Sequence, residues 1–571
     1  MKQKKWLYKC RNLDRNTVLE FSKKYSLSPI IATLLFNRGL DSEEKVRSFF
    51  SKSIKDVHNP KLLIDADAAA DRIISAVNNK EKIAVYGDYD VDGITSTALM
   101  YDFLKGLGAD VMYYIPDRMD EGYGINIMAV NKLSKMGVKL MVTVDCGITA
   151  VGEVEFAKLQ GMEIVITDHH TCKEKLPRAV AAVDLKREEN EYPFNALAGV
   201  GVAFKLMLYI VMKLGLNTTE YFNRYADFCA IGTVADVVSL TDENRIIVNR
   251  GTAVLSNTKR EGLKALIELA GLKPDNIKSE DIAFGIAPRL NAAGRMGSAE
   301  TALKLLLTDS SEEAAQYAAE LNLQNEKRKQ TEAEIFEEAL SQIASDANFD
   351  LKKVIVVCGN GWHHGVIGIV ASKLTERFYK PCIVLSEENG VCKGSARSIP
   401  AFNLFDALEH CDKLLKTFGG HSGAAGLTLG RENLDEFSGE LNNYAKSVLT
   451  DEDMIPVIEI ECELAPKSAT IDFVKRLSNF EPFGEENETP VFSMKEADVA
   501  YISKVGKDMT HLRMVIVKDG ISFNCIGFGM GAYSDYISKG DGVNIAFGIG
   551  INSYNGTDSV QFYLKDIQTV K

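Results

Sequence analysis

Three aspartates, Asp88, Asp90 and Asp92, occupy every second position of "VYGDYDVDG" (Val85–Gly93), directly after an apolar run. Like charges that close disfavour joint ionisation and raise one another's pKa unless a cation neutralises them. Taken alone, the stretch also reads as a surface turn rich in Asp and Gly. Further acids and imidazoles bear on the choice: Asp145 follows "MVTV", His169 and His170 end "IVITDHH", and Asp236 interrupts the apolar run "TVADVV". Singly, each has a plain reading, a hydrogen-bonded core histidine or a helix cap. Together they resemble a two-metal site. Carboxylates chelate or bridge hard cations, and imidazole shifts the preference from Mg²⁺ towards Mn²⁺. Two ions about 3.5 to 4 Å apart stabilise the attacking and leaving oxygens of an in-line displacement at phosphorus.

The elements that must position these groups follow from the hydrophobic pattern. From residue 82 to 170, strand-like runs ("KIAVYG", "DVMYYIP", "KLMVTVDCG", "EIVITDHH") alternate with helical ones, which predicts parallel βαβ units with the acids and histidines at the carboxyl ends of three strands. Open α/β sheets place their ligand crevice at that edge. Residues 200 to 300 read as mostly helical. Around 310 to 345 the chain lacks Gly and Pro and is dense in Ala, Glu, Gln and Lys, predicting a long, largely solvated helix between two domains. Strand and helix alternate again to about residue 448, and from 455 strand follows strand, which predicts an all-β barrel of oligonucleotide-binding type.

"GDYDVDG", "VDCG" and "TDHH" resemble the successive motifs of the DHH phosphoesterase family. Where the broader family has a histidine four residues before the paired aspartates, this chain has Tyr86, with Asp88 added between, and that pattern is similar to the RecJ branch of single-strand-specific exonucleases. "DRMDEGYGIN" (117–126), "IGTVADVV" (231–238), "APRLNAAGRMG" (287–297), "GWHHGVIGIVASKL" (361–374), "GSARSI" (394–399) and "GGHSGAAG" (419–426) extend the resemblance, and "NFEPFGEENETPVF" (479–492) resembles the entry to that branch's oligonucleotide-binding fold. The resemblance implies metal ligation by Asp90, Asp92, Asp145, His169 and Asp236, with Asp88 and His170 in or just outside the ligand sphere. It implies two divalent cations, Mn²⁺ or Mg²⁺, and it places Arg289, Asn291 and Arg295 against the scissile phosphate. Arg offers a planar fork of donors to phosphate oxygens. "GSARSI", with Ser395, Arg397 and Ser398, resembles an anchor for a terminal 5′-phosphate; the plain alternative is that Arg397 pairs with a nearby acid. "GGHSGAAG", with Gly420, His421 and Ser422, reads either as a phosphate cradle or as small residues allowing close packing. Tyr123 is a candidate base-stacking platform or a core tyrosine.

The expectation is therefore an α/β chain: a basic N-terminal segment (1–60), a parallel-sheet DHH catalytic domain (61–305), a linking helix (306–345), a smaller DHHA1-type substrate-binding domain (346–450) and a C-terminal all-β OB-type barrel (451–571). The expected activity is 5′-to-3′ hydrolysis of single-stranded DNA to 5′-mononucleotides in repair and recombination, in partnership with a single-strand-binding protein and a helicase. Two alternatives stay open: a phosphodiesterase of short oligonucleotides or cyclic dinucleotides, and a catalytically inactive replication scaffold.

Composition sets outer bounds. The chain has 571 residues, 46% hydrophobic and 25% charged, with ten cysteines and no C-x-x-C pair, so neither a zinc clip nor a disulfide framework is signalled. No run of 18 apolar residues occurs, and a cytoplasmic protein without a membrane partner is expected. The net charge of −13 argues on its face against a polyanion partner, yet residues 1 to 60 hold thirteen Lys or Arg against six acids. A carboxylate metal site also inflates the acidic count while presenting positive charge once loaded.

Overall fold

The computed structural model describes residues 4–118, 121–554 and 556–570. Two compact units make up the chain, one built from Trp6–Ala287, Leu305–Ser311 and Ile458–Lys571, the other chiefly from Pro288–Lys304 and Glu312–Val457. Each has its own sheet and core.

The first unit opens with β1 (Lys5–Tyr8) and three short helices, α1 (Arg15–Lys24), α2 (Pro29–Asn37) and α3 (Glu43–Phe50). Asp14, Ser28 and Ser42 cap them by accepting backbone N–H groups of the first turn. After α4 (Ala66–Asn78) come β2 (Lys82–Tyr86), α5 (Val91–Gly106), β3 (Asp110–Tyr114), α6 (Ile127–Lys135), β4 (Leu140–Val144), α7 (Val151–Leu159), β5 (Glu163–Asp168) and β6 (Ala181–Asp184). The five strands are parallel, in the order β3-β2-β4-β5-β6. Strand order reverses at β2, so the crevice of an open α/β sheet falls at its carboxyl end, where Asp88 emerges. β6 escaped the sequence reading because it is only four residues long, and its burial on both faces removes any alternation. The helical stretch comprises α8 (Gly199–Lys213), α9 (Thr218–Ala235), α10 (Asp242–Leu255), α11 (Glu261–Leu269) and α12 (Ser279–Asp281).

The second unit begins with α13 (Ala287–Met296) and α14 (Glu300–Leu307), followed by α15 (Ser311–Ser345). The predicted long helix is present, but it is not solvated all round. Ala314, Ala318, Leu321, Asn325, Glu332, Ile335, Ala339 and Ile343 form a buried stripe along it, and its C-terminal half shares a core with Trp362, Val366 and Leu374. The Ala and Gln content hid that stripe, because small and polar residues occupy part of it. β7 (Ile355–Asn360), α16 (His364–Phe378), β8 (Cys382–Glu388), β9 (Val391–Arg397), α17 (Leu404–His410), β10 (Leu415–Gly420), β11 (Ala424–Gly430) and α18 (Leu434–Val448) complete it. Its sheet, ordered β10-β11-β9-β8-β7, is parallel only between β7 and β8.

The C-terminal strands return to the first unit. β12 (Val457–Ile460) pairs with β1, and β13 (Cys462–Glu463) with β14 (Phe492–Val505). Between them lies a helix the strand reading did not anticipate, α19 (Ile471–Leu477). β14, β15 (His511–Lys518), β16 (Ile521–Gly527), β17 (Gly542–Tyr554) and β18 (Thr557–Thr569) close into a five-stranded barrel through the β14–β17 pairing. The barrel does not fold around its own residues alone. Ile31, Leu34 and Leu35 of α2 share one core with Phe480, Phe492, Met514 and Phe547. Trp6 donates its indole N–H to Asp566 at 2.8 Å, and Arg38 meets Glu461 at 3.0 Å. The basic N-terminal stretch is thus packed structure. No helix among the described residues is long and apolar enough to cross a membrane.

Candidate metal centre

Every acid singled out in the DHH region except Asp90 and Asp236 is buried, and all of them converge at the carboxyl edge of the first sheet. Asp90 is the N-cap of α5, accepting from the N–H of Gly93 at 3.0 Å. Asp92, one turn further on, is gripped by the start of α8: the N–H groups of Gly199 and Val200 donate to its two oxygens at 2.6 and 2.8 Å. Asp145 follows β4 with φ of 61°, in the left-handed region. Gly199 has to be glycine here, since a Cβ on it would lie 2.5 Å from Oδ1 of Asp145. Asp236 ends α9 as its C-cap. Nε2 of His169 stands 3.1 Å from Asp145, 3.7 Å from Asp236 and 3.8 Å from Asp92. Ligand atoms group within 4.8 Å as Asp88–Asp90–Asp145, Asp92–His169–Asp236 and Asp145–His169–His170.

Electrostatics give the cluster its character. Burial, then the neighbouring Asp90, pushes Asp88 up to about 8; burial and the charge of Asp90 push Asp236 up to about 7. Asp92 and Asp145, fully buried among other carboxylates, are held well above the usual range. Burial lowers His169 to about 4, which leaves a neutral ring with a free lone pair. Asp88 and Asp145 each keep a buried oxygen that no hydrogen bond satisfies. Buried acceptors without donors cost free energy unless something else meets them. A divalent cation fits this donor set, because it satisfies oxygens and a neutral imidazole that no proton donor reaches.

Around the cluster stand groups with distinct roles. Asp168 is engaged by the N–H groups of Ile148 and His169 and by Nδ1 of His170 at 2.7 Å, so it orients the motif. That contact raises His170 to about 9 against the opposing effect of burial, making it a cation at neutral pH. Tyr123 is half exposed, its hydroxyl 3.0 Å from His170. Tyr86, buried and stacked on Tyr114, donates to the carbonyl of Gly124 and so ties the Tyr123 loop to β2. Met119 and Asp120 of "DRMDEGYGIN" lie outside the described residues. One pair went unread in the sequence: the guanidinium of Arg118 lies 4.8 Å from the ring centre of Tyr89, and its charge opposes the rise at Asp88. A tyrosine between two aspartates and an arginine after "IPD" are the only local traces of it.

The remaining predicted residues belong to the second unit. Arg289 donates to Asn322 of α15 at 3.1 Å, and Arg295 to the carbonyl of Gly365 at the start of α16 at 2.9 Å. Asn291 shares their helix and is partly exposed. Ser395 and Arg397 lie on β9, joined by a 3.0 Å hydrogen bond. Gly368 of α16 backs them so closely that a Cβ there would stand 3.0 Å from the Ser395 hydroxyl and 3.3 Å from the Arg397 guanidinium. Burial alone pushes Arg397 below the usual arginine range, and no carboxylate among the described residues pairs with it. The plain alternative for this residue, an ion pair, is therefore absent. Ser398 turns inward, its hydroxyl donating to the carbonyl of Phe402. "GGHSGAAG" forms the β10–β11 hairpin: Gly420 has φ of 147°, Nδ1 of His421 accepts from the Gly423 N–H, and His421 and Ser422 face solvent. The close approach here is between the two strands of the hairpin, a Cβ on Gly420 falling 2.3 Å from the Ala424 carbonyl oxygen, and not between helices.

Family models match along most of this architecture: the DHH family N-terminal domain over residues 82–233, the DHHA1 domain over 351–447 and the RecJ OB domain over 460–566. A single-stranded-DNA-specific exonuclease RecJ of Bacillus subtilis is 40% identical over 97% of this chain and 70% of its own length. The one of Haemophilus influenzae is 32% identical over 98% of this chain and its full length. The chain belongs to the RecJ family. Its fold agrees with a RecJ crystal structure from Thermus thermophilus in complex with Mn²⁺, with a TM-score of 0.83 at 29% identity, covering 99% of this chain and 79% of that one. The Mg²⁺ complex of the same RecJ gives 0.78 at 28% identity, covering 99% and 78%. Membership of the RecJ family with Mn²⁺- and Mg²⁺-bound relatives agrees with the hard-cation character of the carboxylate cluster.

Proposed function

We propose that this chain is a metal-dependent exonuclease specific for single-stranded DNA, working from the 5′ end and releasing 5′-mononucleotides. The observation that carries this reading is the convergence of Asp88, Asp90, Asp92, Asp145, Asp236 and the neutral His169 on one sheet edge, with buried oxygens left unsatisfied. These residues hold two divalent cations, Mn²⁺ or Mg²⁺, which when bound neutralise charge on the attacking and leaving oxygens of an in-line displacement. His170, a cation fixed by Asp168, offers a donor to a phosphate oxygen, and Tyr123 offers a ring for a base to stack on. Arg289, Asn291 and Arg295 face the scissile phosphate; the two guanidinium groups stay charged and stabilise negative charge in the transition state. Arg397, with Ser395, receives the terminal 5′-phosphate, since a partly buried guanidinium with no carboxylate among the described residues calls for an anion. The barrel tracks the incoming strand without sequence readout: Tyr501, Phe528, Tyr536 and Tyr554 are exposed on it, and every base has a face to stack. A single-strand-binding protein and a helicase are the partners such an enzyme needs, in the cytoplasm.

End-labelled single-stranded DNA, RNA and a cyclic dinucleotide, each incubated with Mn²⁺, Mg²⁺ or chelator, test this reading. Stepwise mononucleotide release from the 5′ end of DNA, abolished by chelator, is expected. Cleavage of the dinucleotide alone, or initiation from the 3′ end, contradicts it.

A further inference from the structure

Asp236 is followed by Val237, a β-branched residue at φ of 58° and 65% exposed. Left-handed backbone is strained for any non-glycine residue, and more so for a branched Cβ. Such a conformation persists where its surroundings over-determine it. The surroundings here come from a distant part of the chain, the strap "NFEPFGEENE" (479–488) that precedes the barrel.

The strap takes hold of the turn one residue at a time. The Leu240 N–H donates to the carbonyl of Glu485 at 2.9 Å, and the Ser239 hydroxyl donates to the Glu486 carboxylate at 2.7 Å. Gly484 lies against Leu240, where a Cβ would come within 2.5 Å of its side chain. The strap is itself anchored. Arg245, buried, donates to the carbonyls of Asn479, Phe480 and Phe49, and buried Asn487 donates to those of Phe480 and Pro482. A second tether runs from the same turn to the Asp92 clamp: Nδ2 of Asn244, fully buried, donates to the carbonyl of Ser239 at 2.9 Å and to that of Ala196 at 2.7 Å, three residues before Gly199.

We propose that the strap and Asn244 are positioning elements of the metal centre, holding the strained Val237 turn so that Asp236 stays in register with Asp92 and His169. Glu486 and Ser239 are the replaceable link in this chain of contacts. The proposal rests on the reading of Asp92, His169 and Asp236 as metal ligands, and goes beyond it by making residues of the barrel's leading segment determinants of metal affinity.

Mn²⁺ binding to the full-length protein, followed by calorimetry and by the loss of free-ion paramagnetic resonance, tests it without a substrate. Groups that orient metal ligands typically contribute ten- to a hundredfold in affinity, so Glu486→Ala should weaken Mn²⁺ binding about tenfold with the thermal midpoint held within a few degrees. Glu486→Gln, which keeps an acceptor, should stay close to wild type. Ser239→Ala removes the same bond from the other side and serves if Glu486→Ala folds poorly. Adding Val237→Gly to Glu486→Ala removes the steric penalty of the left-handed turn and should recover most of the lost affinity, a rescue that general loosening of the fold would not give. Wild-type affinity in both Glu486→Ala and Ser239→Ala overturns the proposal. Failure of the wild-type protein to bind Mn²⁺ would instead overturn the metal-centre reading.

Discussion

The carboxyl edge of the first sheet and the Arg397 edge of the second unit are electrostatic opposites built by the same means. At the first, carboxylates are buried together and pushed up to about 7 and 8 at Asp236 and Asp88. At the second, a partly buried guanidinium stands without a carboxylate among the described residues and is pushed down by desolvation. Elsewhere buried charges are met inside the fold, by an opposite charge as for Lys205 with Glu243 and Arg260 with Asp227, or by backbone carbonyls as for Arg245. A charge left uncompensated inside a protein calls for a ligand of the other sign, which is the ground for proposing cations at one edge and a phosphate at the other.

Removing the cluster's charge should produce the largest effect. Asp90→Ala or Asp145→Ala is expected to lower hydrolysis below about a hundredth of the wild-type rate, while binding of single-stranded DNA stays detectable, because phosphate and stacking contacts lie elsewhere. Rates with end-labelled strands and a gel-shift assay read both quantities. A residual rate above that level breaks the comparison at its negative end.

At the positive end, Arg397→Ala should erase most of the preference for a 5′-phosphate over a 5′-hydroxyl, a loss on the order of 1.5 to 3 kcal/mol for a charge-assisted contact. Digesting the two end types with wild-type and variant protein measures the ratio. An unchanged ratio removes Arg397 from the site.

A pH experiment sharpens the negative end without touching a ligand. Asp184 pairs in register with Asp168 and is pushed up to about 7 by burial, with one oxygen unsatisfied. An unfolded aspartate titrates near 4, so this carboxyl stabilises nothing at high pH: the folded state loses stability as pH rises from about 4 through 7. Asp184→Asn should therefore raise the urea midpoint at pH 8, by a gain on the order of 2 kcal/mol, and leave it nearly unchanged at pH 4. An equal change at both values assigns the effect to packing.

The smallest effects belong to the exposed aromatics of the barrel. Tyr501→Ala or Phe528→Ala should weaken binding of a long single strand by about 1 kcal/mol each, with cutting of very short strands unaffected. Binding curves on two strand lengths separate these. Deleting the barrel from about residue 455 is a blunter tool, since it also strips Ile31, Leu34 and Leu35 of their core partners and removes the strap.

What the sequence made legible was whatever left a local trace. Asp88, Asp90 and Asp92 sit just past an apolar strand, Asp145 and His169 likewise, and Asp236 breaks an apolar helical run, so burial and charge conflict within a few residues and mark each position. Arg397 was visible through its motif, but that no carboxylate among the described residues pairs with it was not, because pairing is decided by the fold. The grip of Gly199 and Val200 on Asp92 spans 107 and 108 residues, and that of the strap on Ser239 spans 247. Nothing in the chain near Ser239 or Glu486 encodes their meeting. β6 and the buried stripe of α15 were missed for a different reason, a pattern too short in one case and too poor in large apolar residues in the other.

The shared core of α2 and the barrel has a consequence for how the protein is made. Ile31, Leu34 and Leu35 leave the ribosome well before the residues that bury them, from Phe473 to Leu564. At 5 to 20 residues per second, that leaves an apolar helix without its partners for roughly 20 to 90 s of synthesis. During that interval the N-terminal helices are a client for chaperones. Segments made far apart in time complete each other's fold, and a nascent chain stopped before the barrel carries an exposed hydrophobic face that marks it as unfinished.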